Sequence, residues 1–154
     1  MTTYRDAGPK DIDDILQLAR EMHAETSFKT LTFNDGKAAL EIMECILSPY
    51  YFFCLAEQEG KVVGFIVGYL SQPLFSEDLV VYDHAWYVGK SVRNTFIGVR
   101  LLKNLVRWSK IQNARALFVT TGSKVNEARV GKLVESQGFT QLGGYFRRDF
   151  EDET

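Results

Sequence analysis

Trp86-Tyr87-Val88-Gly89-Lys90-Ser91-Val92-Arg93-Asn94-Thr95-Phe96-Ile97-Gly98-Val99-Arg100-Leu101-Leu102 reads as the end of a strand, a short turn and the start of an amphipathic helix. The first N–H groups of such a helix have no carbonyl partner one turn behind, and the aligned peptide dipoles make that end positive. A phosphate or pyrophosphate is the ligand this arrangement suits, and Lys90 and Arg93 bring cations close in sequence. An ordinary strand-to-helix turn also has these free amides, so the stretch gains meaning from what surrounds it.

Working outward, residues 79–88 form a long apolar and aromatic strand leading into the turn. On the far side, Ile97, Leu101, Leu105 and Trp108 repeat at helical spacing up to about Asn113, and residues 116–121 then read as a buried strand. Strand, helix, strand in that order implies a parallel crossover. Further upstream, Tyr51–Gln58 and residues 61–70 flank Glu59-Gly60 as a hairpin. Two amphipathic helices precede them. One opens at Gly8-Pro9 and carries Ile12, Ile15, Leu16, Ala19 and Met22, with Asp11, Asp13 and Asp14 near its positive end. The other follows Asn34-Asp35-Gly36 and is stopped by Pro49. A short strand at residues 4–7 opens the chain. A last helix over about 126–137 ends at Gly138-Phe139, and a terminal hairpin through Leu142, Tyr145, Phe146 and Phe150 precedes an acidic tail at 151–154.

The whole is expected to be one α/β domain over residues 1–150. Its 154 residues, 45% hydrophobic and 25% charged, suffice to bury a single core without staples. A net charge of −2 with scattered Lys and Arg gives no field to draw nucleic acid. Cys45 and Cys54 show neither metal-ligand spacing nor a disulfide framework, so no metal is expected. No apolar run approaches the roughly 18 residues that span a bilayer, and residues 1–7 lack a leader's apolar stretch. A cytoplasmic protein without a membrane partner is the expectation.

In its central segment the chain resembles the GNAT acetyltransferase superfamily, whose strand ending in valine leads five residues on to R/Q-x-x-G-x-G/A. Val88 and Arg93 have that spacing, Gly98 matches the last position, and Phe96 departs from the usual first glycine. The opening at residues 4–7, the Asp11 helix start and the stretch from Asn126 to Gly138-Phe139 extend the resemblance over nearly the whole chain. It implies a GNAT fold: a mixed, mostly antiparallel twisted sheet of six to seven strands with a central parallel pair, flanked by about four helices. It implies acetyl-CoA as cosubstrate, held by Trp86, Tyr87, Val88, Arg93, Asn94, Thr95, Phe96, Ile97, Gly98, Val99, Asn126 and Arg129. Backbone amides would carry the pyrophosphate, so Phe96 must point away from it.

The implied reaction moves an acetyl group to a primary amine of a small molecule or peptide. An alkylamine is only about 0.04% neutral at pH 7, so a proton acceptor is useful. Strand alternation would put Tyr82, His84 and Trp86 on one face and Asp83, Ala85 and Tyr87 on the other. His84, four residues before Val88, is the candidate base, since imidazole titrates near neutrality; Glu25 and Asp83 are lesser candidates. Family members often protonate the leaving thiolate with a tyrosine four residues before the Gly-Phe glycine, a position held here by Val134, which leaves Tyr87, Ser123 or water for that task. Glu25, Phe28, Tyr51 and His84 are expected to meet the acceptor, with Phe33 and Tyr50 nearby. Phe96 and Val134 keep open a module of the same fold that binds acetyl-CoA or a partner without catalysis. The aromatic C-terminal hairpin suggests a homodimer.

Overall fold

The computed structural model describes residues 1–93, 95–121 and 126–150. β1 (Thr2–Asp6) is followed by a 3-10 turn and α1 (Ile12–Glu25), then a second 3-10 turn and α2 (Asp35–Leu47). β2 (Tyr51–Gln58), β3 (Lys61–Ser71) and β4 (Val80–Val88) form an antiparallel meander with β1 outside β2. α3 (Ile97–Ile111) crosses back to β5 (Ala116–Phe118), which runs parallel to β4, and α4 (Glu127–Ser136) follows.

Local chemistry accounts for these elements. Glu59 and Gly60 both take positive φ, 50° and 76°, the two-residue turn whose twist matches a hairpin. Asn34 caps α2 through its side-chain oxygen, which accepts from the Lys37 N–H at 2.8 Å. Asp11 does more than favour the helix dipole. It takes a bidentate bond from Arg5, 2.8 Å on each arm, and accepts from the Gly8 N–H, so this buried carboxyl is held down at about 2. Arg5 reaches Glu57 of β2 as well and so ties the start of α1 to the sheet.

The sheet is covered on both faces. Ile15 and Leu18 of α1 and Cys45 of α2 pack on Phe53, Leu55, Phe65, Val67 and Tyr87. Ile97, Leu101, Leu102 and Leu105 of α3 pack on Cys54, Ala56, Ile66 and Val81, with Val134 of α4 beside them. Gly68 of β3 lies directly against Leu105 of α3. A Cβ built there would lie 2.5 Å from Leu105 Cδ1 and 3.3 Å from Val81 Cγ1, and both partners are fully buried. Gly68→Ala is therefore expected to cost about 1–3 kcal/mol through overpacking. Thermal unfolding measures it, and an unchanged Tm would show that Leu105 has room to move.

Three expectations are corrected. Among the described residues the sheet has five strands, not six to seven, and the parallel pair lies at its edge, not its centre. Residues 140–150 form no strand, because β5 pairs over only three residues and offers too short a ladder for a hairpin to extend. Instead Arg147 of that segment donates to the Ser27 carbonyl and the Thr30 hydroxyl beside α1. β4 also fails to alternate evenly. Val67 pairs with Ala85 and Gly68 with Asp83, leaving His84 as an extra residue in a bulge. His84, Ala85 and Tyr87 consequently share the α1 face with Tyr82, while Trp86 joins Val81 and Val88 under α3. Asn94, Ser123 and the tail 151–154 lie outside the described residues.

Candidate active site

β4 and β5 pair only from Val80–Ala116 to Tyr82–Phe118. Beyond Tyr82 they part, because the Thr120 N–H turns to the Asp83 carboxylate at 3.1 and 3.2 Å instead of a β4 carbonyl. From there to Val88 one edge of β4 has no strand partner among the described residues, so its outward peptide groups, apart from the Val88 carbonyl that Arg93 Nε takes, face the cavity without a ladder. A cavity of about 490 Å³ fills the split. Its wall runs from Met22, Thr26 and Phe28 past Tyr82, Asp83 and His84 to Trp86, Val88 and the start of α3, with Asn126, Arg129, Val130 and Leu133 opposite.

At the α3 end, the first intrahelical bond runs from the Arg100 N–H to the Phe96 carbonyl at 3.0 Å. The Ile97 N–H is taken by the Thr95 hydroxyl at 3.3 Å, and among the described residues the Gly98 and Val99 amides have no helical carbonyl behind them. The Ile97 side chain is buried between α3 and the sheet, so only its backbone faces this end. Phe96 is 85% exposed and needs no positive φ, so its ring leaves the helix end open. A Cβ placed on Gly98 would lie 3.7 Å from both Trp86 and Val88, which is ordinary packing distance. The Trp86 indole N–H is buried and has no hydrogen-bond partner among the described residues. An orphaned donor in a cavity wall is the kind of group a ligand satisfies.

Arg93 lines the cavity with its guanidinium already engaged. Its guanidinium forms a two-armed ion pair with Glu25 at the end of α1, and its Nε donates to the Val88 carbonyl at 3.0 Å. The guanidinium also lies 5.4 Å from the Tyr87 ring centroid, and the Tyr87 hydroxyl bonds to the same Glu25. Burial and then Glu25 raise the Tyr87 pKa, keeping its proton on the ring oxygen. For Glu25 burial works upward, yet the bonds from Arg93 and Tyr87 prevail and hold its carboxyl below the ordinary range. Glu25 is thus turned inward, engaged by cation and phenol.

The opposite end of the cavity differs. His84 is exposed, and its ring stands edge-on to Tyr51 and Tyr69, with centroids 5.9 and 5.8 Å away. Phe28 is exposed at the mouth. Val134 is buried in the core under α3, away from this wall. Asn126 takes the left-handed conformation, φ 48°, which asparagine tolerates better than most residues, and its carbonyl accepts from Val130 to start α4. Sequence reasoning gave Asp83 a minor place and passed over Tyr69 and Tyr82, which line the cavity beside His84.

Burial pushes Asp83 up to about 6, against the pull of the Thr120 N–H and hydroxyl. The folded chain therefore holds this proton more tightly than the unfolded chain, so the group lowers stability as pH rises from about 4 to 6, and the cost persists above that. Asp83→Asn keeps an acceptor for Thr120 and removes the charge. Allowing for partial exposure, it is expected to stabilise the fold by about 1 kcal/mol at pH 7.5, with the gain vanishing below pH ~4. Melting curves of both proteins across pH decide it; parallel curves would overturn it.

The family model for the acetyltransferase (GNAT) family matches residues 12–139. The chain belongs to that family. No curated protein matches it in sequence. Among solved structures, it is similar to AAC(6')-Iy in complex with the bisubstrate analog CoA-S-monomethyl-acetylneamine, with TM-score 0.78, 16% identity, and 97% and 98% of the two chains covered. It is similar to a predicted acetyltransferase with acetyl-CoA from Clostridium acetobutylicum, with TM-score 0.76, 16% identity and 97% of each chain covered. An aminoglycoside acetyltransferase from an uncultured soil metagenomic sample, in complex with trehalose, gives TM-score 0.74 and 17% identity over 96% and 95%. At these identities the structures speak for the fold, and the family match makes the chain an N-acetyltransferase that uses acetyl-CoA.

Proposed function

We propose that this protein acetylates a primary amine directly, with acetyl-CoA along the unpaired edge of β4 and His84 accepting the amine proton. The observation that carries this reading is the split after Tyr82, which puts a free strand edge, a helix N-terminus and an imidazole on one cavity. The residues fit the cosubstrate. Gly98 and Val99 amides would hold the pyrophosphate, Phe96 points clear of it, and the Trp86 indole N–H is a donor awaiting an acceptor. Val88, Thr95, Asn126 and Arg129 would flank it from the two walls. Acetyl-CoA supplies a thioester whose acyl carbon is open to attack by nitrogen.

The protein's own groups then have separable tasks. An outward amide of β4 near Tyr87 or Val88 would polarise the acyl carbonyl. His84, exposed at the acceptor end, takes the proton that the amine loses as the new amide bond forms. Arg93 and Tyr87 act through Glu25: they lock the end of α1 to the turn after β4 and so hold the two halves of the cavity in register. With Val134 buried and the Tyr87 proton committed to Glu25, solvent or Ser123, which lies outside the described residues, is left to protonate the departing thiolate, and a thiol's pKa near 8.5 makes that an easy step.

A cytoplasmic setting is consistent with two free, buried cysteines and with the fact that no described helix is long and apolar enough to cross a membrane. Exposed Tyr145, Phe146 and Phe150 support a homodimer through the C-terminal segment. Sedimentation at micromolar concentration tests it, and a monomer there would end the idea.

Calorimetric titration with acetyl-CoA, followed by thiol release on an amine panel, tests the catalytic reading. One-to-one micromolar binding with turnover is expected. Binding with no thiol release on any amine would instead favour a non-catalytic module of this fold.

A further inference from the structure

The acceptor end is built from an aromatic ladder that crosses four strands. In the sheet register Tyr51 lies opposite Tyr69, Tyr69 opposite Tyr82, and Tyr82 opposite Phe118. The rings follow the register, at 5.6 Å for Tyr51–Tyr69, 5.8 Å for Tyr69–Tyr82 and 5.0 Å, stacked, for Tyr82–Phe118. Such pairs support a sheet. This ladder is also half-exposed, and Tyr69, Tyr82 and His84 form cavity wall, with Met22, Thr26 and Phe28 facing them.

Charge is sparse on that wall. Asp83 is the one carboxylate lining the cavity among the described residues, since Glu25 is engaged by Arg93 and Tyr87. A polyamine or amino sugar brings several ammonium groups, and each beyond the first would lose water against phenyl, phenol and thioether surface with no counter-charge. A single amine beside Asp83 and His84 avoids that cost. Tyr82 and His84 are two residues apart, about 6–7 Å along an extended strand and somewhat less across a bulge. A two-carbon linker between an aromatic ring and a primary amine spans that interval.

Resting on the acetyltransferase reading above, we propose that the acceptor is an arylalkylamine: a single primary amine on a short chain, its aromatic ring laid against Tyr69 and Tyr82 and its nitrogen between Asp83 and His84. The rings bind by stacking and apolar burial, so specificity lies in shape and in having one cation.

The test measures thiol release at saturating acetyl-CoA with tyramine, tryptamine, spermidine and neamine, alongside the acetyl-CoA affinity. The expected kcat/KM for tyramine and tryptamine exceeds that for spermidine and neamine at least tenfold. Tyr82→Leu should raise the KM for tyramine about tenfold, with acetyl-CoA affinity unchanged, whereas Tyr82→Phe keeps the wild-type KM. Preference for spermidine or neamine would overturn the proposal, as would acetyl-CoA binding without turnover of either arylalkylamine. Should the Leu variant fail to fold, the wild-type ranking still decides. Loss of acetyl-CoA binding by the wild-type protein would instead remove the reading on which the proposal rests.

Discussion

Replacing His84 with glutamine is expected to lower kcat/KM by about 10²–10⁴, the usual contribution of a positioned general base, and to change the shape of the pH–rate profile. Stability should barely change, because His84 is exposed and occupies a bulge that pairs with no residue of β3. Acetyl-CoA affinity should be unaltered, since the helix end and Trp86 lie further along β4. The bulge explains why His84 is placed to act. With even alternation His84 would share the α3 side with Trp86; the extra residue turns it toward α1, the side from which we propose the acceptor enters. A pH–rate profile of wild type and variant decides the matter. If the profile keeps its shape, His84 is not the base, and Asp83, next along the strand, becomes the group to replace.

Glu25→Ala is expected to have the largest effect on stability. The side chains of Glu25 and Arg93 are 12% and 23% exposed, so the substitution strands a largely enclosed guanidinium and the Tyr87 phenol together. Removing one partner of a buried pair costs about 3–5 kcal/mol, and the bond Arg93 keeps to Val88 brings the expectation to about 2–4. Glu25→Gln, which can still accept, should lose less. The sign with pH follows from the lowered Glu25 pKa: its contribution is complete above the ordinary carboxylate range and is lost as pH falls through the folded value. Acid should therefore narrow the gap between wild type and Glu25→Ala. The same variant should bind acetyl-CoA more weakly, because the turn leading to α3 loses the tie that sets it. Denaturant unfolding at two pH values with a parallel titration tests all three, and equal stability with full affinity would show the pair to be ornamental.

Much of this was legible in the residues. The Glu59-Gly60 turn announced the hairpin, Asn34 and Pro49 bounded α2, and the apolar spacing of Ile97, Leu101 and Leu105 marked the helix that the sheet buries. Those signals are local: a positive φ, a missing N–H, a period of 3.6. The strand, turn and helix around Val88 and Gly98 were equally local, which is why the strand-to-helix turn could be placed from one stretch of sequence.

The acceptor end could not. Counting back from Glu59-Gly60 with perfect pairing sets Tyr51 against Gly68, and only the irregularity between Ala56 and Glu57 slides Tyr69 opposite it to start the ladder. A second irregularity turns His84 about, and the parting of β4 from β5 at Asp83 opens the cavity. Arg93, expected beside the phosphates, is paired with a glutamate 68 residues earlier in the chain. By itself the sequence determined which segments are helices and strands, and that a helix N-terminus follows β4. Tertiary structure alone decided register, bulge and ion-pair partner, because each depends on which distant backbone or charge lies within a few ångströms once the core has closed.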